Sequence, residues 1–103
     1  MDIADIKAKV RANQYAYSIH AEVERKSENL TFIQIEQALL NCEMLEQYPD
    51  TGRGESCLVL GFANDIPIHI VCGWRGEKLA LVTVYIPRPP DFINPRMRGG
   101  KQE

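Results

Sequence analysis

Two histidines and their neighbours hold most of the chemistry this sequence can offer. His20 stands four residues before Glu24 in I-H-A-E-V-E-R, so on a helix the carboxylate falls beside the imidazole and can orient it. His69 sits in I-P-I-H-I-V-C-G-W-R, and Thr83 and Tyr85 sit in L-V-T-V-Y-I-P, runs whose alternation is that of paired strands. An imidazole, with an unperturbed pKa of roughly 6.5, exchanges protons near neutrality. Arg25, Arg75 and Arg88 supply guanidinium groups of the kind that clamp phosphates. Together these types suit cleavage of RNA without a metal. A base takes the 2′-hydroxyl proton, an acid protonates the leaving 5′-oxygen, and cations stabilise the phosphorane. In this reading His69 is base or acid, with Tyr85 as hydroxyl donor beside Thr83. His20 joins them if its helix packs across the sheet edge. The plainer reading stays open: His69 and Tyr85 decorate a half-wet sheet face, and His20 with Glu24 is a solvated helix surface. Two histidines are few for a metal set, so no metal or cofactor is expected.

Whether the strand residues meet depends on one turn. Ile66 to Arg75 and Leu79 to Ile86 read as antiparallel strands rich in Ile, Val and Leu, turning at Gly76-Glu77. A three-residue loop, Gly76-Glu77-Lys78, aligns Ile66, Ile68, Ile70, Cys72 and Trp74 with Ala80, Val82, Val84 and Ile86 on one face. It gathers His69, Arg75, Thr83 and Tyr85 on the other. A two-residue loop mixes the rows, because a one-residue slip flips every side chain. The odd loop is expected.

The remaining elements follow in order. Asp2 to Gln14 reads as a helix capped by Asp2, with Ile3, Ile6, Val10 and Tyr17 at helical spacing; it is expected as an appendage on the domain. Ser18 caps a short helix to Ser27, with Ile19 and Val23 on a face away from His20 and Glu24. Thr31 and Gln34 form a capping box for a helix to about Cys42, whose buried stripe is Phe32, Ile35, Leu39 and Cys42. Glu43 to Tyr48 is an edge strand, and Ser56 to Phe62 a strand that turns into the hairpin. Between them lies a turn-rich loop whose Gly52, Arg53 and Gly54 can cradle a phosphate without matching a P-loop. The sum is an α+β fold, with helices on one face of a roughly four-stranded antiparallel sheet. After Pro87 the prolines end regular structure, and 93–103 is expected as a mobile basic tail behind a core of 15–92.

A chain of 103 residues, 45% hydrophobic and 25% charged, makes one soluble domain. No apolar run approaches the roughly 20 residues that span a bilayer, and no signal-peptide pattern opens the chain. Cys42, Cys57 and Cys72 are an odd set without C-x-x-C spacing, so buried free thiols in a reducing cytoplasm are expected. The net charge of −2 excludes a body coated for nucleic acid, and nothing points to DNA. A basic strip after Pro87 remains compatible with RNA. Convergence of Arg25, Arg75 and Arg88 on the His69 face favours a ribonuclease; scatter favours a protein-binding module.

The ordered set Y-S-I-H-A-E-V-E-R, L-T-F-I-Q-I-E-Q-A-L-L-N, Y-P-D, C-L-V-L-G-F, P-I-H-I-V-C-G-W and V-T-V-Y-I-P resembles a small bacterial family of unknown function, from about Tyr15 to Phe92. That family is similar in layout to the RelE and MqsR type mRNA interferase toxins, within the barnase-like and RelE-like ribonucleases. The resemblance implies metal-independent RNA cleavage in a toxin–antitoxin setting, an antitoxin as partner, and site positions at His20, His69, Thr83 and Tyr85. Many members carry Trp shortly after the last strand, where this chain has Phe92. The alternative is an inactive RelE-like module that binds protein through the sheet face and Trp74.

Overall fold

The first helix, α1 (Ile3–Arg11), starts where Asp2 accepts a hydrogen bond from Ala4 N at 2.8 Å and ends at Asn13, whose φ is +57°. This computed structural model describes residues 1–99; the expected tail residues 100–103 lie outside them. Then come β1 (Tyr15–Tyr17), α2 (Ile19–Ser27) capped by Ser18, and α3 (Phe32–Leu40) with the expected Thr31–Gln34 capping box. The strands β2 (Glu43–Tyr48), β3 (Ser56–Ala63), β4 (Ile66–Arg75) and β5 (Lys78–Tyr85) follow, and β6 (Phe92–Asn94) with β7 (Met97–Arg98) closes the described chain.

The fold is α+β, as expected, but the sheet has five strands in the order β1-β5-β4-β3-β2 and is mixed. The fifth strand is Tyr15–Tyr17, which lies past the helix expected over Asp2 to Gln14, where the sequence predicts no separate element and Tyr17 counts in the helical spacing; it pairs in parallel with Leu79–Leu81. One sheet face carries Cys57, Val59, Ile68, Ile70, Cys72, Leu79, Leu81 and Val84, buried under Ile6, Val10, Ile35, Ala38 and Leu39 of α1 and α3. Because Ile6 and Val10 belong to this core, α1 is a layer of the domain rather than an appendage. Phe32 leaves the predicted stripe and is 53% exposed, its place taken by Ala38. The three cysteines are free and buried. No helix among the described residues is long and apolar enough to cross a membrane.

The hairpin turn differs from expectation in an instructive way. Arg75 pairs with Lys78, so the loop is the two-residue Gly76-Glu77, with Gly76 at φ +63°. Such a loop alone mixes the rows. A register shift opposite Val71 and Cys72 adds one residue, Val82, to β5 and restores the phase. His69 therefore pairs with Tyr85 and Val71 with Thr83, while Cys72 pairs with Leu81. Ala80 lies with His69's face and Leu81 with the core, the reverse of the prediction before the bulge and in agreement with it after.

Helix α3 crosses β3 at Gly61. A Cβ there would lie 1.8 Å from the Ala38 carbonyl oxygen, an overlap that only backbone movement relieves. Gly61→Ala is expected to cost about 3 kcal/mol or more, beyond the usual overpacking range because the obstacle is backbone. Urea unfolding of the two proteins measures it; an unchanged midpoint would show that α3 does not sit this close.

Candidate functional site

Beyond Leu81 the outer edge of β5 has no strand beside it, and α2 supplies what a strand would. Ser18 N donates to Leu81 O at 2.9 Å and Ser18 Oγ to Val82 O at 3.0 Å. Farther along, Val84 N donates to Glu24 Oε1 at 3.0 Å and Ile86 N to Glu28 Oε2 at 2.8 Å. The match is geometric. Four residues of helix rise about 6 Å, and two residues of strand about 6.6 Å, so carboxylates one turn apart meet alternate N–H groups. Turning Glu24, Glu28 and Ala21 inward leaves Ile19 and Val23 at 88% and 61% exposure.

Between α2 and β5 lies a cleft of about 240 Å³, lined by Val23, Glu24, Ser27, Glu28, Val84 and Tyr85. At its rim His20 Nε2 is 3.3 Å from the same Glu24 oxygen that receives Val84 N, with the His20 side chain 68% exposed. Arg88 Nη1 donates to Glu28 Oε2 at 2.9 Å, and that guanidinium, with the Ile86 N–H, holds the Glu28 carboxyl below its usual range. Tyr85 thus lines the cleft itself, and His20 and Arg88 are tied to two of its other lining residues, Glu24 and Glu28.

His69 stands behind Tyr85 and is wholly buried. Its Nε2 lies 2.7 Å from the Pro95 carbonyl oxygen, which only accepts, so Nε2 carries the proton. Nδ1 is then the acceptor for the Tyr85 hydroxyl at 3.1 Å. Burial lowers the His69 pKa, assisted by the charge of Arg98 and opposed by the Pro95 carbonyl and Glu46. The imidazole is neutral with both nitrogens occupied. Burial also raises the Tyr85 pKa, which keeps its hydrogen in place.

The cover over His69 is the segment expected as a mobile tail. Phe92 packs edge-on to the imidazole with ring centroids 4.4 Å apart, and the β6–β7 turn brings Pro95 over Nε2. Two ion pairs anchor it to β2: Arg96 Nη2 to Glu43 at 2.8 Å and Arg98 Nε to Glu46 at 2.6 Å. The Arg98 guanidinium draws the Glu46 carboxyl down to about 2. This strap was missed because its prolines and glycines read as chain termination. The one available signal was charge: Glu43 and Glu46 on an edge strand, Arg96 and Arg98 in the tail.

The three predicted arginines do not converge. Arg25 is bound to Glu22 and to Leu30 O, with its guanidinium 4.0 Å from the Phe32 ring centroid. Arg88 belongs to the cleft, and Arg75 ends β4 beside Lys78, six residues from His69. Thr83 shares the His69 face, half-buried opposite Val71. Trp74 packs against the helix-covered core rather than on that face.

The state of His69 sets a pH dependence. The unfolded imidazole binds a proton near 6.5 and the folded one only below it, so the unfolded state holds more protons there and stability is lost as pH falls through that range. Tm is expected to drop from about pH 7.5 to about pH 5.5, with that part of the drop absent in His69→Leu, by circular dichroism. Equal pH dependence in both proteins would overturn the neutral assignment.

Neither a curated protein nor a solved structure matches the chain. A family does: residues 17–86 match the family described as Domain of unknown function (DUF4258), a span from the end of β1 to just past β5 that holds α2, the cleft, both histidines and Tyr85. That match covers most of the chain, and the protein belongs to the DUF4258 family.

Proposed function

We propose that the domain is a metal-independent ribonuclease, of the kind that RelE and MqsR type toxins represent, acting in the cytoplasm with an antitoxin as partner. Its chemistry lies in the cleft between α2 and β5. What supports this is the grouping of three side chains around that cleft: His20 3.3 Å from Glu24, Tyr85 hydrogen-bonded to His69 and Arg88 hydrogen-bonded to Glu28. His20 takes the 2′-hydroxyl proton as that oxygen attacks the phosphorus, and Glu24 steadies the imidazolium formed. The same proton then passes to the departing 5′-oxygen, leaving a 2′,3′-cyclic phosphate. Tyr85 turns its hydrogen from His69 Nδ1 to a phosphoryl oxygen as charge develops, and Arg88 meets the phosphate from the Glu28 side. In this scheme His69 does not transfer protons. It positions Tyr85.

The scatter of Arg25, Arg75 and Arg88 favours a second reading, a binding module without catalysis. Arg25 and Arg88 are already paired with carboxylates, and Val23, which lines the cleft, is exposed together with Ile19 one turn away, as a protein partner would require. A labelled RNA incubated with purified protein in EDTA separates the two. Cleavage is expected, lowered about 10²- to 10⁴-fold by His20→Ala, as for loss of a general base. Induced expression should arrest growth with loss of mRNA, and His20→Ala should relieve it. Intact RNA and unimpaired growth from soluble wild-type protein would move the assignment to the binding module.

A further inference from the structure

Arg75 does not reach the cleft, and where it does lie is informative. It lines a separate groove of about 270 Å³ on the His69 side of the sheet, at the hairpin end, together with Arg53, Val71, Gly73, Ala80 and Val82. The floor is low because Gly73 and Ala80 pair across β4 and β5 there, and the β5 bulge sets Val82 as one wall. The opposite wall is the 50–55 loop. Asp50 Oδ1 accepts from Gly52 N at 2.8 Å and Gly54 N at 2.9 Å, and both glycines have positive φ, so the turn carrying Arg53 is pinned at its base.

Charge marks this groove. Arg25, Arg88, Arg96 and Arg98 are each bound to a glutamate. Arg53 and Arg75 have no carboxylate within 4.0 Å among the described residues, and neither does Lys78, paired across from Arg75. Glu55 borders the groove, but its carboxylate is 3.0 Å from the chain's terminal ammonium, which offsets it. Arg11 on α1 is likewise without a carboxylate among the described residues, but Arg53 and Arg75 are unpaired around one concavity, which gives it a local positive field suited to an anion.

We infer that this groove is a second phosphate subsite, in which Arg53 and Arg75 hold the backbone of a single-stranded RNA away from the cleft. The inference rests on the ribonuclease reading for its choice of ligand. The groove lacks a histidine, so it contributes binding and register rather than chemistry.

Binding is measured by fluorescence anisotropy with a 2′-O-methyl oligoribonucleotide, which cannot be cut, across a salt series. The wild type should bind. Arg53→Gln/Arg75→Gln should weaken binding roughly tenfold or more and reduce the log–log salt slope by about 1.4, at about 0.7 per phosphate contact on a single strand. Gly73→Leu should weaken it as well. A Cβ at Gly73 lies 3.7 Å from Val82 Cγ2 and 3.7 Å from Glu55 O, ordinary contact distances, so a side chain can start there without a clash at its Cβ and extend into the groove. Absence of wild-type binding, or an unchanged slope in the double arginine variant, would overturn the subsite; both arginines are exposed, so that variant tests it even if Gly73→Leu fails to fold. Binding with the predicted variant effects but without cleavage of unmodified RNA would retain the groove and remove the ribonuclease.

Discussion

An open strand edge is a row of polar groups that must find partners, and the outer edge of β5 finds them in side chains. Ser18, Glu24 and Glu28 engage its Leu81, Val82, Val84 and Ile86 backbone groups in turn. Much else follows from that choice. A helix joined to its neighbour by glutamates stands off by the reach of those side chains, and the space left is the cleft. The inward face of α2 has to be polar at two successive turns, so its apolar Ile19 and Val23 face out. The carboxylates are also shared: the Glu24 oxygen that caps Val84 holds His20, and the Glu28 oxygen that caps Ile86 holds Arg88. Edge protection and the candidate site are therefore one network. Removing either carboxylate exposes a backbone donor as well as releasing a side chain, so its effect on activity cannot be separated from its effect on the sheet.

The bulge at Val82 is a second constraint. The two-residue turn is the tighter solution for right-twisted strands, and Gly76 with its positive φ permits it. Its cost is phase, since it places the wrong parity of β5 opposite β4. One extra residue corrects this midway, so Leu79 and Leu81 enter the core below the bulge and Val84 above it. Alternation in the sequence showed two strands and two faces, and the meeting of His69, Thr83 and Tyr85 could be read from it. The reason for that meeting could not. A longer loop and a short loop with a bulge bring the same distal residues together and differ only near the turn, where Ala80 and Leu81 exchange faces.

Local signals were dependable where the physics is local. The Asp2 and Ser18 caps, the Thr31–Gln34 box and the strands between Ser56 and Arg75 depend on neighbours in the chain, and the sequence displays them. What it concealed depends on distant partners. Tyr15–Tyr17 is too short to show an alternation and exists because β5 has a free edge segment for it. The strap holds its position through Arg96 with Glu43 and Arg98 with Glu46, more than fifty residues apart. Hydrophobic pattern carries no information about such pairs, and the one buried apolar anchor, Phe92, stands alone among prolines.

The strap also gives the two histidines different surroundings. Carbonyl and hydroxyl partners on opposite nitrogens suit a neutral ring, and burial under Phe92 removes the solvent that would stabilise a charged one. A histidine in that state transmits geometry well and protons poorly. His20 has the complementary condition: a carboxylate on one nitrogen and open solvent around the rest. In the proposed reaction, proton transfer falls to the exposed ring and orientation of Tyr85 to the buried one. The cations divide in the same manner. Charges fixed in pairs with Glu22, Glu28, Glu43 and Glu46 shape the protein, while Arg53 and Arg75 at the hairpin end retain their field for whatever comes within a screening length of about 8 Å.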